Sequence, residues 1–217
     1  MRTFGFPEFL FILEAAKWTI ALSLIAFVGG AIGGLLVALG RTSENRYARG
    51  AATAFVQVFQ GTPLLLQLFL VFFGFPVLGI DVNPWVAAGA ALVLNTSAFL
   101  GEIWRGSIQA VPHGQTEAAH ALGLHYFDRL RDVVLPQAFK IALPPTVGYM
   151  VQVIKGTSLA AIIGFTEITR AGQIINNATF QPVIVFGLVA ALYFALCWPL
   201  SLLATRMEKR QARALAR

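Results

Sequence analysis

The stretch G-Q-T-E-A-A-H-A-L-G-L-H-Y-F-D-R-L-R-D-V-V-L-P-Q-A, from Gly114 to Ala138, is a long polar passage in an apolar chain, and its reading decides the fold. The spacing predicts two short helices lying in water. The first, about Thr116 to Leu122, carries Glu117 in its opening turn and ends at Gly123, which suits the position just past a helix C-terminus. The second, about Leu124 to Leu135, sets Phe127, Leu130 and Val134 on one face and Asp128, Arg129, Arg131 and Asp132 on the other. Pro136 is expected to stop it. An apolar face of this kind needs something to bury it.

On both sides of this passage the sequence reads as membrane. The chain has 217 residues, 57% hydrophobic and only 12% charged. Its mean hydropathy is +0.72, far from the mix of a soluble domain. A bilayer crossing needs ~20 apolar residues. Runs of about that length are expected to span at 18–40, 63–80, 85–105, 142–164 and 183–205. The expected class is all-α: one transmembrane domain over 1–217, a polytopic helical bundle of five transmembrane helices. Trp18 is placed as an interfacial anchor, and Gly29, Gly30, Gly33 and Gly34 form overlapping small-xxx-small pairs that favour close helix packing. Residues 51–60 are half-polar and helical in pattern, and Gly61-Thr62-Pro63 is a break and a new start. There Thr62 is expected to cap and Pro63 to take the first helical position. Thr166 to Pro182 is a polar connector, and Pro199 is expected to kink the last span. The N-terminus lacks the pattern of a cleaved signal peptide and is read as retained.

The net charge of +6 raises the possibility of nucleic acid, but the distribution of the charge opposes it. Twelve Lys and Arg fall in the loop after the first span, in and beside the central polar stretch, and in the tail to Arg217. Three (Arg2, Lys17 and Arg170) fall on the other side. Under the positive-inside rule the N-terminus is outside, and the Gly114–Ala138 segment and the C-terminus are cytoplasmic. No stretch joins clustered basic residues to exposed aromatics. A lone Cys197 excludes an internal disulfide framework and reads as packing.

Polar residues inside spans are costly and mark candidate sites. Lys155 stands about 20 Å into the fourth span and Asn95 about 15 Å into the third, which puts both near the midplane at similar depth. Lys155 serves equally well as an internally paired structural residue or as a ligand for solute. Gly156, Thr157 and Ser158 beside it can loosen the helix and offer backbone and hydroxyl groups. Glu102 sits nearer the loop end, where it is expected to pair with Arg105 and tether the helix rather than meet Lys155. His113, His120 and His125 lack the helpers of a metal site and read as solvated, so no metal and no catalytic residue is expected. The phosphate loop G-x-x-x-x-G-K-[ST] is absent, so the chain is not expected to bind nucleotide by that route.

Several motifs in order resemble one family. Glu117-Ala118-Ala119, Gly123 and Val133-Val134-Leu135-Pro136 resemble the E-A-A cytoplasmic signature of bacterial ABC importer permeases. G-T-P-L-L-L-Q from Gly61, A-F-L-G-E-I-W-R-G-S-I-Q-A-V-P from Ala98, G-T-S-L-A-A-I-I-G from Gly156 and R-A-G-Q from Arg170 resemble its polar-amino-acid branch, the histidine/glutamine/arginine type. The resemblance implies a non-enzymatic permease subunit in the bacterial inner membrane. It would pair with a second permease, homo- or heterodimeric, and work with two ATPase subunits that bind ATP and with an external solute-binding protein. It also implies a coupling helix, with Glu117, Ala118, Ala119, Gly123 and Phe127 engaging the ATPase and the Phe127/Leu130/Val134 face buried on the permease's own helix ends. The implied substrate pathway takes Asn95, Lys155, Gly156, Thr157 and Ser158. Similar permeases for cationic amino acids often carry Asp or Asn where this chain has Gly156. Lys155 is left to meet an α-carboxylate or an acidic side chain, and the implied substrate is a polar amino acid. Two rival classes carry other requirements. A secondary transporter driven by an ion gradient would need inverted repeats and intramembrane carboxylates, and a membrane scaffold would need no midplane Lys.

Overall fold

Pro7 in the first turn and the Glu8 side chain, whose Oε2 accepts from the Gly5 amide at 3.0 Å, start helix α1 (Phe6–Thr42) well before Trp18. The computed structural model describes residues 3–215; Arg2 and Arg217, both in the charge count, lie outside them. At 37 residues α1 is about 55 Å long, so part of it projects beyond a hydrocarbon core ~30 Å thick. Helix α2 (Arg46–Gly61) is capped by Asn45, whose Oδ1 accepts from the Tyr47 amide at 2.9 Å. Then come α3 (Leu64–Val77), α4 (Pro84–Gln109), α5 (His113–Ala121), α6 (Tyr126–Ile163), α7 (Ile168–Thr179) and α8 (Pro182–Leu215). The described residues contain no strand. Among the described residues four helices (α1, α4, α6 and α8) are long and apolar enough to cross a membrane alone, and α2 with α3, bent by 102° at their break, make a fifth if the pair is taken as one span.

The bend follows from Pro63, whose ring pushes the preceding residue out of the helical region; Thr62 sits at φ −115°, ψ 142°. Here the structure corrects two details. Pro63 occupies the N-cap and α3 begins at Leu64. Thr62 closes α2 instead of opening α3, its hydroxyl donating to Val58 O at 2.7 Å.

Two prolines that should stop helices do not. Pro136 lies inside continuous α6, and Pro76 lies inside α3. Each follows a π turn, Arg129–Val134 and Leu70–Gly74. The widened turn takes the missing N–H and the ring clash out of the regular bond ladder, so the helix passes through. No helix starts at residue 142, and Pro144 and Pro145 lie within α6. Pro199 likewise lies inside α8.

The core sits where α1, α3, α4 and α6 meet, around Leu22, Leu68, Leu92, Val153 and Phe165. A second cluster, Ile12, Ala15, Ile168, Ala171, Val185 and Val189, joins α1, α7 and α8. Helices α1 and α4 touch almost backbone to backbone. A Cβ on Gly30 would run into Thr96 and one on Gly33 into Ser97. On Gly34 it would stand 2.9 Å from Leu100 Cβ and 3.1 Å from the Gly101 amide. This is the close packing that the small-xxx-small pattern favours in lipid.

Gly34→Ala is expected to destabilise the protein by about 1–3 kcal/mol through overpacking, seen as a lower midpoint of thermal unfolding in detergent. Gly106→Ala on α4, where no atom lies within 4 Å of the added carbon, should leave the midpoint within a degree or two. Equal effects at the two positions would contradict this account of the α1–α4 contact.

Candidate functional site

Lys155, Gly156, Thr157 and Ser158 lie where α6 tightens from an α-helix, ending at Thr157, into a 3₁₀ turn over Ser158–Ile163. Both hydroxyls are used locally: Thr157 donates to Ile154 O and Ser158 to Lys155 O, each at 2.7 Å. Thr157 is fully buried, and Gly156 faces Leu64 and Leu92. Lys155 is exposed. No ion pair forms between Lys155 and Glu102. The Glu102 carboxylate holds Arg41 of α1 and Arg105 of its own helix, both at 2.8 Å, and so tethers the ends of α1 and α4.

Asn95 does a different job from the one its depth implied. Its Nδ2 donates to Phe59 O and to Gln67 Oε1, each at 3.2 Å, and its Oδ1 accepts from the Tyr149 hydroxyl at 3.4 Å. Gln67 Nε2 reaches Phe59 O at 2.9 Å and Thr62 O at 3.1 Å. The two amides thus satisfy carbonyls that the α2–α3 break leaves without helical partners. Tyr149 lies six residues before Lys155, about 9 Å of helix rise, and Gly156 faces Leu92, one turn along α4 from Asn95. Asn95 and Lys155 are therefore one to two turns apart in depth.

Gln152 and Lys155, three residues apart on one stripe of α6, are both exposed within the apolar C-terminal half of that helix. A polar stripe at that depth faces water or another protein surface, because hydrocarbon would leave both groups unsolvated.

At the other end of α6 the polar loop folds back on the helix ends. Helix α5 starts at His113 rather than Thr116, which moves Glu117 out of the first turn. It closes at Gly123, in the left-handed region at φ +76°. The Gly123 amide bonds His120 O at 2.9 Å and the Leu124 amide bonds Ala119 O at 3.1 Å, the paired bonds of a Schellman cap. Ala119 is buried, whereas Glu117, Ala118 and Gly123 are exposed. Val134 packs with Val111 and Ala138, and Leu130 packs against them. Phe127 does not share that face. It is 79% exposed, because the π turn at Arg129–Val134 rotates it off the stripe that regular helical spacing would give. With Leu122, 82% exposed, it makes an apolar tip on the loop.

A second polar node was not foreseen. Glu167, fully buried in the turn between α6 and α7, accepts from the Arg170 amide at 2.9 Å and from the Tyr193 hydroxyl. The Thr19 hydroxyl lies 3.5 Å away and itself accepts from the Ile168 amide at 3.2 Å. Burial pushes the Glu167 carboxyl above the ordinary carboxylate range, and hydrogen bonds from Tyr193, Thr169 and Arg170 offset only part of the shift. The one sequence signal was an acidic residue directly before the amphipathic pattern of α7; Glu is an uncommon N-cap, and its partners are distant in sequence.

Comparison with known proteins gives a consistent picture. The family model for binding-protein-dependent transport system inner membrane components matches residues 29–215. A probable amino-acid ABC transporter permease of Bacillus subtilis is 34% identical over 94% of this chain and 91% of its own length. The L-cystine transport permease of the same organism is 37% identical, covering 92% and 86%. The glutamine transport permease of Escherichia coli is 34% identical over 94% of each. Among solved structures, an amino acid ABC transporter with histidines superposes with a TM-score of 0.89 at 32% identity, over 96% of this chain and 100% of that one. An inward-facing methionine ABC transporter superposes at 0.78 with 17% identity, over 95% and 99%, and shares the fold.

Folded protein holds the Glu167 proton more tightly than unfolded chain does. This group's contribution to stability is therefore present below the ordinary carboxylate pKa and lost as pH climbs through the raised value. The unfolding midpoint is expected to fall across that window in wild type, with Glu167→Gln flattening the fall. A variant with the wild-type slope would contradict the assignment.

Proposed function

The chain belongs to the binding-protein-dependent transport system inner membrane component family, and on that premise we propose that it is the permease subunit of an ATP-driven importer of polar amino acids. The observation that carries the site is the exposed Gln152–Lys155 stripe. In a pair of permeases, two copies or two related chains, this stripe faces the shared interior instead of lipid. There the Lys155 ammonium is available to the α-carboxylate that every amino acid carries. Gly156 adds no charge beside it, and an added Cβ would meet Leu64 at 3.3 Å and Leu92 at 3.4 Å, an apolar setting that offers a cationic side chain no partner. The names of the glutamine and cystine relatives agree with a polar, uncharged substrate.

The placement of the basic loops supports an orientation with α5 and the C-terminus in the cytoplasm of a bacterial inner membrane and α7 outside, where a solute-binding protein delivers substrate. ATP is bound by separate ATPase subunits. The loop around α5 is their docking point, with Ala118 allowing close approach and Leu122 and Phe127 presenting apolar surface that this chain leaves uncovered. Closure of the ATPase pair drives the two loops together and switches the bundle between two arrangements. The ion-gradient reading loses its candidate carboxylate, since Glu102 is held between two arginines.

In proteoliposomes with the ATPase and binding protein, Lys155→Ala is expected to cut uptake by about tenfold or more, the loss of one charge-assisted contact of ~1.5–3 kcal/mol, with ATPase assembly intact. Unchanged uptake would make Lys155 structural. Gly123→Val places a β-branched residue at φ +76° at a cost of about 1–3 kcal/mol, and should lose ATPase co-purification while the chain still inserts. Retained co-purification would remove α5 from the docking role.

A further inference from the structure

We infer that the cytoplasmic end of α8 is a binding site for anionic phospholipid, formed by Arg206, Lys209, Arg210 and Arg213. This rests on the membrane reading above, with α8 as a span and its C-terminus inside. Helix α8 continues past its apolar part without a break. At 34 residues it is about 51 Å long, well beyond a hydrocarbon core ~30 Å thick. One face stays exposed over the whole of its second half. Trp198, 52% exposed, and Leu202 lie on it, and the same helical steps carry the stripe on to Arg206, Lys209 and Arg213, with Arg210 beside them. All four cations are exposed. The opposite face holds α8 to the bundle. There Cys197 and Ala204 are buried, and Met207 and Gln211 are half-buried one and two turns further on.

Depth and charge choose the occupant. Arg206 directly follows Thr205, where the apolar run ends, and Arg213 stands about 10 Å of helix rise further on. The headgroup layer of one leaflet is roughly 5–8 Å deep. Long basic side chains reach back toward it. The face that meets acyl chains at Trp198 and Leu202 therefore presents four cations at the level of the lipid phosphates. Among the described residues none of the four is in an ion pair, so their charge is not neutralised within the chain. A second copy of this chain laid against the same face would set cations on cations, a repulsive contact. A phosphate carried on the acyl chains that border the stripe satisfies both of its halves, and four basic residues just beyond a span attract such lipid.

Trp198 is a built-in reporter, since it shares the stripe and sits at acyl-chain depth. The test places the full chain with its ATPase in phosphatidylcholine vesicles. A minor share of the lipid is brominated on its acyl chains, as phosphatidylglycerol in one arm and phosphatidylcholine in the other. The fluorescence component that Trp198→Phe removes is read for quenching. Brominated phosphatidylglycerol is expected to be preferred about fivefold or more, the effect of a single well-placed basic residue. Changing Arg206, Lys209, Arg210 and Arg213 together to Gln should bring the two lipids to parity, as should salt near ~1 M, where charges are screened within ~3 Å. Equal quenching in wild type, or a preference that survives the fourfold change, would overturn the inference. Loss of ATPase co-purification on the fourfold change, with no lipid preference in wild type, would assign the stripe to the ATPase instead. Should Trp198→Phe fail to insert, phosphatidylglycerol retained by the detergent-purified transporter is counted; less in the fourfold variant is expected, and equal counts contradict the site. Quenching needs no uptake, so a wild-type transporter that moves no amino acid would sink the transport reading alone.

Discussion

Two side-chain amides, Gln67 and Asn95, hold the point on which the rest of the bundle turns. A helix broken inside a membrane leaves carbonyl groups that lipid cannot solvate. At the α2–α3 break these are Phe59 O and Thr62 O, and both amides converge on the first while Gln67 also takes the second. With the carbonyls satisfied, the chain can bend by 102° and send α3 against α4, where Leu68 enters the core beside Leu92. Leu64 then lies against Gly156, so the geometry of the break reaches the segment that carries Lys155. Tyr149 completes the link by donating to Asn95 from α6.

Around that joint, polar groups appear at three levels, each with its own task. Near the loop end, Glu102 binds Arg41 and Arg105 and fixes the ends of α1 and α4. In the middle, Asn95 and Gln67 support the break, while Gln152 and Lys155 are left facing outward from the single chain. Near α7, Glu167 gathers Thr19, Tyr193 and the start of α7. The first and third levels are closed on themselves. The middle stripe leaves two polar side chains exposed on an apolar helix, which is why it carries the functional reading.

Much of this was legible in the sequence, and what was not has physical causes. Composition and charge placement showed an all-α polytopic bundle, and G-T-P showed the break, because proline acts on its nearest neighbour. The glycines of α1 announced a close helix contact but could not name Thr96, Ser97 and Leu100 as the surface met. Gly123 was readable as a helix end because only backbone conformation is involved. Pro136 misled, since a π turn lets a proline pass and leaves no composition signal; the same turn moved Phe127 off its expected face. Asn95 and Glu167 were hidden for another reason. Their roles depend on partners 36 and 148 residues away, and no local spacing records such pairs.

The central claim is that the Gln152–Lys155 stripe faces an aqueous interior in the assembled transporter. In a Cys197→Ala background, Gln152→Cys can be challenged with a membrane-impermeant maleimide, beside Leu36→Cys on α1, whose native side chain is 67% exposed on an apolar surface. Gln152→Cys is expected to be labelled, at a rate that changes when ATP is added, and Leu36→Cys to stay unlabelled. A Gln152→Cys as unreactive as Leu36→Cys in every nucleotide state would contradict it.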